Sequence, residues 1–131
     1  MRLEDRTCVI TGGSNGIGAA TVSRFVAEGA KVLIADIDLD AANALAAELG
    51  NAVTAVQCDV RFEDDVRRVA QTALEQWDHV DILVNNAGSE LNRGYAETTV
   101  EEWDRVQDTD LKGPWLMCKH LVPHMVERGS G

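Results

Sequence analysis

The sequence predicts an α/β fold in which a doubly wound parallel sheet carries helices on both faces. Three observations lead to this prediction. Short, nearly continuous apolar runs alternate with stretches of helical periodicity, a glycine-rich turn joins the first run to the first helix, and polar residues follow the apolar runs. Apolar runs without alternation are typical of strands buried on both faces. Because crossovers between parallel strands are right-handed, the expected strand order is 3-2-1-4, with a ligand crevice between strands 1 and 4.

The first two strand–helix units follow from periodicity and composition. Thr7–Thr11 is a short run rich in β-branched residues, and Ile17–Glu28 repeats apolar residues at helical spacing before Gly29, a C-cap signal. Lys31–Asp36 is almost entirely apolar and predicts a buried strand. The alanine-rich stretch Leu39–Leu49 predicts the second helix.

The second half of the chain continues this alternation. Ala52–Cys58 predicts the third strand, Glu63–Trp77 a charged amphipathic helix, and Val80–Asn85 a fourth buried strand. The acidic residues that open the Glu63–Trp77 segment are expected to form the solvated first turn of its helix.

A long helical segment is expected near the end of the chain. Thr99–Glu127 follows a polar loop and has helical periodicity. Because proline lacks a backbone N–H, Gly113-Pro114 and Pro123 are expected to interrupt this segment.

The composition argues against several classes of partner. The 131 residues include 22 acidic and 12 basic ones, and the formal net charge of −10 would repel nucleic acid and anionic lipid. No apolar stretch approaches membrane-spanning length, and the N-terminus does not resemble a signal peptide. Three cysteines without metal-binding spacing predict reduced packing residues and a cytoplasmic location, namely Cys8, Cys58 and Cys118.

The segment between the first strand and the first helix predicts a phosphate-binding turn. Residues 11–18 read Thr-Gly-Gly-Ser-Asn-Gly-Ile-Gly. Gly12 would permit a tight turn, Gly16 the close approach of a pyrophosphate, and Gly18 the packing of the helix against the strand. Glycine strings also occur in ordinary turns, but here the flanking strand and helix place free N–H groups where a phosphate could bind.

Asp36 is the second indication of a dinucleotide site. It stands 18 residues after Gly18, at the end of the predicted second strand. An acid there can accept hydrogen bonds from ribose hydroxyls and would repel a 2′-phosphate. Because neither Gly12–Gly18 nor Asp36–Asp40 contains Lys or Arg, the sequence predicts NAD over NADP. The alternatives are a solvated Asp36 and a ribose contact by Asp38, which looks more like a helix N-cap.

Polar residues also follow the third and fourth predicted strands. Asp59, which precedes Val60, could accept a hydrogen bond from an adenine amino group. Residues 85–88 read Asn-Asn-Ala-Gly, whose small residues leave room for the adenosine half of a ligand. The amides of Asn85 and Asn86 can tie this loop to neighbouring backbone.

Together these motifs resemble the short-chain dehydrogenase/reductase family, and the similarity covers essentially the whole chain. The resemblance implies a Rossmann-type doubly wound sheet, truncated here after about four strands and the long fifth helix. It also implies hydride transfer between a nicotinamide and an alcohol or ketone. The predicted cofactor-binding residues are Gly12, Ser14, Asn15, Gly16, Ile17, Gly18, Asp36, Asp59, Val60, Asn86, Ala87 and Gly88.

The chain departs from the family's catalytic pattern. The family uses a Ser and a Tyr-(three residues)-Lys pair, because the Tyr hydroxyl exchanges a proton with substrate and a nearby ammonium lowers its pKa. The single tyrosine, Tyr95, is followed four positions later by Thr99, so no catalytic residue is assigned. Asp110 occupies the position of a family Asn that supports a proton relay; the alternative is a helix-face acid without a role.

The main hypothesis is an NAD-dependent oxidoreductase of which residues 1–131 form a single domain, the N-terminal cofactor-binding half. Alone, this half would be inactive, and it would meet an alcohol or ketone substrate only with a C-terminal half. The alternative is a stand-alone dinucleotide-binding or assembly module, with Thr99–Glu127 mediating a homo-oligomer. No metal is expected, because His120 and His124 have Pro123 between them and no third ligand.

Overall fold

The computed structural model describes residues 1–131 and contains the expected alternation of strands and helices. The strands are β1 (Thr7–Thr11), β2 (Lys31–Asp36), β3 (Val53–Gln57) and β4 (Ile82–Val84). The helices are α1 (Gly16–Ala27), α2 (Leu39–Leu49), α3 (Glu63–Trp77), α4 (Val100–Gln107) and α5 (Gly113–Arg128). All strand pairs are parallel and the order is β3-β2-β1-β4, which confirms the predicted topology.

Two apolar cores lie on opposite faces of the sheet. Val9 and Leu33 point to the face covered by α3 and α5, whereas Ile10 and Ile34 point to the face covered by α1 and α2. All four side chains are fully buried. Burial on both faces explains why the strands are continuous apolar runs instead of alternating ones.

The edge strands are shorter than their apolar runs. β3 was expected at Ala52–Cys58 and β4 at Val80–Asn85, but ladder pairing is limited to Val53–Gln57 and Ile82–Val84. Each of these strands has a neighbour on one side only, so hydrogen bonds to that single neighbour define its bounds.

The prediction that Pro123 interrupts the last helical segment is wrong, because Pro123 lies inside α5. Gly113 and Pro114 do stand at a change of helix geometry, since they open α5 directly after a π-helical turn. Buried Leu121 before Pro123 and partly buried Met125 after it pack against the core and hold the helix in place. The regular geometry changes instead at Asp108–Lys112, a π-helical turn that joins α4 to α5. None of the helices combines the length and the apolar character needed to cross a bilayer.

Candidate functional site

A cavity of about 690 Å³ opens at the carboxyl ends of the four strands. This volume falls within the range of about 300 to 1,000 Å³ that is typical of small-molecule sites. The sequence-predicted residues that line the cavity are Gly12, Asn15, Ile17, Gly18, Asp36, Asp59, Val60, Asn86, Ala87 and Gly88. Ser14 and Gly16 belong to the same turn but are not part of the lining.

The glycine-rich turn leaves the N-terminus of α1 open to the cavity. Gly12 and Gly16 have φ angles of 62° and 53°, and a Cβ on Gly18 would overlap the carbonyl oxygen of Gly12. The side chain of Asn15, the N-cap, makes no hydrogen bond to the first helical turn, and that turn contains no acid. The first N–H groups of α1 are therefore not capped by this side chain, and no acid within the first turn opposes an anion there.

Ser14 carries a buried hydroxyl that has no partner within the protein. Its Oγ is the one buried side-chain polar atom of the chain without a hydrogen bond. Buried polar groups are nearly always paired, so this hydroxyl is an exception within the glycine-rich turn, although it does not line the cavity.

Asp36 is positioned by two backbone hydrogen bonds. Its Oδ2 accepts from the N–H of Ser14 at 2.9 Å and its Oδ1 from the N–H of Asp38 at 3.0 Å. The side chain lies on the cavity wall, and each oxygen retains acceptor capacity for a ligand hydroxyl. Asp38, the alternative ribose contact, caps α2 by accepting from the N–H of Ala41, which confirms its predicted N-cap role.

Asn86 ties the loop after β4 to the turn after β1. Its Nδ2 donates to the carbonyl oxygens of Thr11 at 3.1 Å and Gly12 at 2.9 Å. The Thr11 hydroxyl oxygen in turn accepts from the backbone N–H groups of Asn86 and Ala87. Asn85 is exposed, and its side chain makes only a 3.8 Å contact to the sulfur of Cys118. Of the two amides that were predicted to tie this loop to neighbouring backbone, only that of Asn86 does so.

Arg61 is a cavity residue that the sequence analysis missed. Its guanidinium holds the carboxylate of Asp59 through Nε and Nη2, and its backbone N–H donates to the same group at 3.1 Å. The side-chain hydrogen bond from Arg61 is the main cause of the lowered pKa of Asp59. In the sequence, the only indication of this ion pair is that an Arg stands two residues after the Asp that follows the strand.

The π-helical turn supplies a second wall that the sequence did not reveal. Asp110 lies in this turn, and its Oδ1 accepts from the backbone N–H of Ser89 at 2.8 Å. Arg105 and Thr109 join it in the lining, as does Glu90. Such turns often occur at functional sites, but a sequence of normal helical periodicity does not reveal where one will form. The other lining residues absent from the predicted cofactor site are Ala35, Ile37, Cys58 and Ser89.

Comparison with known proteins agrees with this geometry. A family model described as short chain dehydrogenase matches residues 6–131. The chain is 40% identical to tropinone reductase-like 1 of Erythroxylum coca, over 99% of this chain and 49% of that protein. It is also 40% identical to a sorbitol dehydrogenase of Cereibacter sphaeroides, over 100% of this chain and 51% of that protein.

A solved structure gives the same picture. The crystal structure of a 3-ketoacyl-(acyl-carrier-protein) reductase from Brucella melitensis, complexed with NADH, superimposes with a TM-score of 0.93 at 37% identity. The superposition covers 97% of this chain and 53% of that chain. The chain thus spans about half the length of the relatives that it matches.

Proposed function

The chain belongs to the short-chain dehydrogenase/reductase family, and on this premise we propose that its cavity binds NAD(H) for an oxidoreductase acting on an alcohol or ketone. The observation that carries the proposal is the Asp36 carboxylate, hydrogen-bonded to the N–H of Ser14 at the edge of the glycine-rich turn. This contact supports the proposal, because it would put an acceptor for ribose hydroxyls beside a helix N-terminus suited to a phosphate.

The residues at this end of the cavity fit the phosphates of a dinucleotide. The acid-free first turn of α1 offers backbone N–H donors, and the missing Cβ atoms of Gly12 and Gly18 permit the tight packing of turn and helix. The unpartnered Ser14 hydroxyl does not line the cavity and would donate to a ligand oxygen only after its side chain rotated. With a net charge of −10, the chain has to rely on these local dipoles to hold a pyrophosphate.

NAD is favoured over NADP by the charges near Asp36. A 2′-phosphate on the ribose would bring negative charge against this carboxylate. Arg61 lies at the neighbouring strand end, but its guanidinium is already engaged by Asp59. Neither the glycine-rich turn, Gly12–Gly18, nor the segment Asp36–Asp40 contains Lys or Arg.

The nicotinamide of a bound dinucleotide would supply or accept the hydride. Asn86 would hold the β4 loop in place beside it, and Asp110 would fix that loop from the side of α4. Tyr95 is 98% exposed and does not line the cavity. We therefore propose that residues 1–131 alone bind the cofactor without turning over substrate.

Titration of the chain with NADH and with NADPH tests this proposal, with nucleotide fluorescence and calorimetry as the two measurements of the dissociation constants. We expect NADH to bind at least about tenfold more tightly than NADPH, because the 2′-phosphate would meet Asp36. A chain that bound neither nucleotide would contradict the proposed function. Hydride transfer to simple ketones by residues 1–131 alone would contradict the proposed lack of turnover.

A second proposal concerns self-association through α4 and α5. Several large apolar side chains are exposed along this segment, namely Val100, Trp103, Leu111, Trp115 and Val126. An exposed apolar surface on a helix favours association, and a second copy would cover it symmetrically. Sedimentation over a range of concentrations should show a dimer that V126E weakens. A wild-type chain that stays monomeric at high concentration would contradict the proposal.

A further inference from the structure

The glycine-rich turn contains an asparagine that is followed directly by a glycine, namely Asn15 before Gly16. Asparagine is one of the thermolabile residues of proteins, because its side-chain amide carbon can be attacked by the backbone nitrogen of the next residue. A following glycine, which has no Cβ, leaves that nitrogen most accessible. The chain has five other asparagines, and none of them precedes a glycine: Asn43, Asn51, Asn85, Asn86 and Asn92.

The structure leaves both reacting groups of this pair free. Asn15 is exposed, and its side chain makes no hydrogen bond to the first turn of α1. Gly16 begins α1, and its N–H has no hydrogen-bond acceptor within the protein, because the first N–H groups of a helix lack an intrahelical partner. A Cβ at Gly16 would meet nothing within 4 Å, so the space around it is open.

The turn requires the glycine but not the asparagine. Gly16 has a φ angle of 53°, in the left-handed region that other residues adopt only with strain. Asn15 is the N-cap of α1 and has an extended backbone, a position that serine, threonine or aspartate can also fill. The reactive pair therefore depends on which N-cap residue stands at position 15.

We propose that Asn15 is a site of spontaneous deamidation that lowers the affinity of the cavity for a nucleotide. In this reaction the backbone nitrogen of Gly16 bonds to Cγ of Asn15 and gives up its proton, and the side-chain nitrogen leaves with that proton as ammonia. Water then opens the resulting succinimide ring. Cleavage of the bond to Cγ gives aspartate, and cleavage of the bond to the backbone carbonyl carbon gives isoaspartate.

Both products place a carboxylate where Asn15 lines the cavity, at the N-terminus of α1. This charge would repel a pyrophosphate and could accept the N–H groups that a phosphate would otherwise bind. Isoaspartate would also add a methylene group to the main chain and displace Gly16. The chemical step is independent of the proposed function, whereas its effect on nucleotide affinity rests on the proposed binding of NAD(H).

Incubation of the chain in mildly alkaline buffer, followed by peptide mass spectrometry, tests the chemical step. We expect Asn15 to be converted faster than any other asparagine. Asn51 is the matched internal control, because it is also exposed and lies in a turn, but Ala52 follows it. Conversion of Asn15 no faster than that of Asn51 would overturn the inference.

The same incubation with saturating NADH tests the position of Asn15 relative to the ligand. Bound phosphates would occupy the N–H of Gly16 and hold the turn in place, so the conversion of Asn15 should slow while that of Asn51 does not. Equal rates at Asn15 with and without NADH, in a chain that binds NADH, would overturn the inference.

The variant N15D isolates the effect of the added charge. We expect NADH to bind about tenfold more weakly, with a smaller loss at high salt, because salt screens the repulsion. The unfolding temperature should be at least that of wild type, since an acid at a helix N-terminus is favourable. N51D adds the same charge away from the cavity and should bind NADH as wild type does. Wild-type NADH affinity in folded N15D would overturn the inference.

Ageing of the wild-type chain gives a test that does not depend on the folding of N15D. NADH-binding capacity should fall with the fraction of Asn15 converted. N15S has no amide to lose at this position and should keep its own starting affinity through the same incubation. An equal loss in N15S, or conversion of Asn15 without loss of NADH affinity, would overturn the inference alone. A fresh wild-type chain that binds no NADH would overturn the proposed function and the effect on affinity, even if Asn15 were converted.

Discussion

The carboxylate of Asp36 accepts a hydrogen bond from the backbone N–H of Ser14, with 2.9 Å between donor and acceptor. One residue ends β2 and the other lies in the turn between β1 and α1. The bond therefore joins the proposed ribose contact to the proposed phosphate-binding turn. Because the protein itself makes this bond, both parts of the site are held in place before a ligand arrives.

D36N should weaken NADH binding and reduce the preference for NADH over NADPH. The substitution removes the negative charge, and the NH2 group of asparagine cannot accept from one of the two N–H groups, of Ser14 and Asp38, that the carboxylate binds. Hydrogen bonds to charged groups contribute about 1.5 to 3 kcal/mol, so the dissociation constant for NADH should rise at least about tenfold. Fluorescence titration with both nucleotides measures the change. D40N removes the same charge from an exposed position of α2 and should behave as wild type.

G18A should destabilise the chain by about 1 to 3 kcal/mol. The added Cβ would overlap the carbonyl oxygen of Gly12, and neither backbone segment can move without disturbing the turn. Chemical denaturation measures the loss in the free energy of unfolding. G88A is the control, because a Cβ there meets nothing closer than the Asp110 Oδ1 at 3.7 Å. Equal losses in the two variants would show that steric overlap at Gly18 is not the cause.

N86A should lower the free energy of unfolding by about 1 to 3 kcal/mol, because the carbonyl oxygens of Thr11 and Gly12 lose their side-chain donor. Loosening of this turn should also weaken nucleotide binding. N85A deletes the neighbouring amide, which is exposed and contacts only a sulfur atom at 3.8 Å, and its stability should match that of the wild type. A larger loss of stability in N85A would contradict the assigned roles.

Asp81 should make the stability of the chain sensitive to acid. Burial by itself would raise its pKa, but hydrogen bonds from Thr7 and Arg128 outweigh that effect and hold the pKa well below its usual range. Because the pKa is lower in the folded state, the unfolded chain takes up the proton first as the pH falls. The stabilisation from Asp81 is therefore complete above about pH 5 and is lost progressively below about pH 4.

The variant D81N tests whether stability falls with decreasing pH because Asp81 takes up a proton. We expect it to be about 2 kcal/mol less stable than wild type at neutral pH, with the difference shrinking as the pH is lowered. Urea denaturation at a series of pH values gives both curves. D64N changes an exposed acid in the first turn of α3 and should leave the pH dependence almost unaltered. A constant gap between D81N and wild type across the acid range would contradict the role of ionised Asp81.

The strands and helices with the strongest local signals were predicted with their observed bounds. Lys31–Asp36 and Glu63–Trp77 are examples. A continuous apolar run and a strong amphipathic period can both be recognised from neighbouring residues alone, without knowledge of distant contacts. Pro123 shows the limit of local rules, since packing of the residues on both sides of it keeps α5 intact where proline propensity indicated a break.

The sequence by itself determined the parallel sheet with its strand order, the glycine-rich turn and the position of Asp36. The strand order follows from the periodicity of the segments and from the right-handedness of crossovers. The turn depends on backbone conformations that glycine adopts readily, and Asp36 is located by the end of an apolar run. Only the tertiary structure decided that Arg61 hydrogen-bonds the carboxylate of Asp59 and that Asn86, not Asn85, ties the loop after β4 to the turn after β1. It also decided that Asp108–Lys112 forms a π-helical turn in the wall of the cavity. These outcomes depend on which side chains the fold brings within hydrogen-bonding distance, and no local pattern in the chain encodes that geometry.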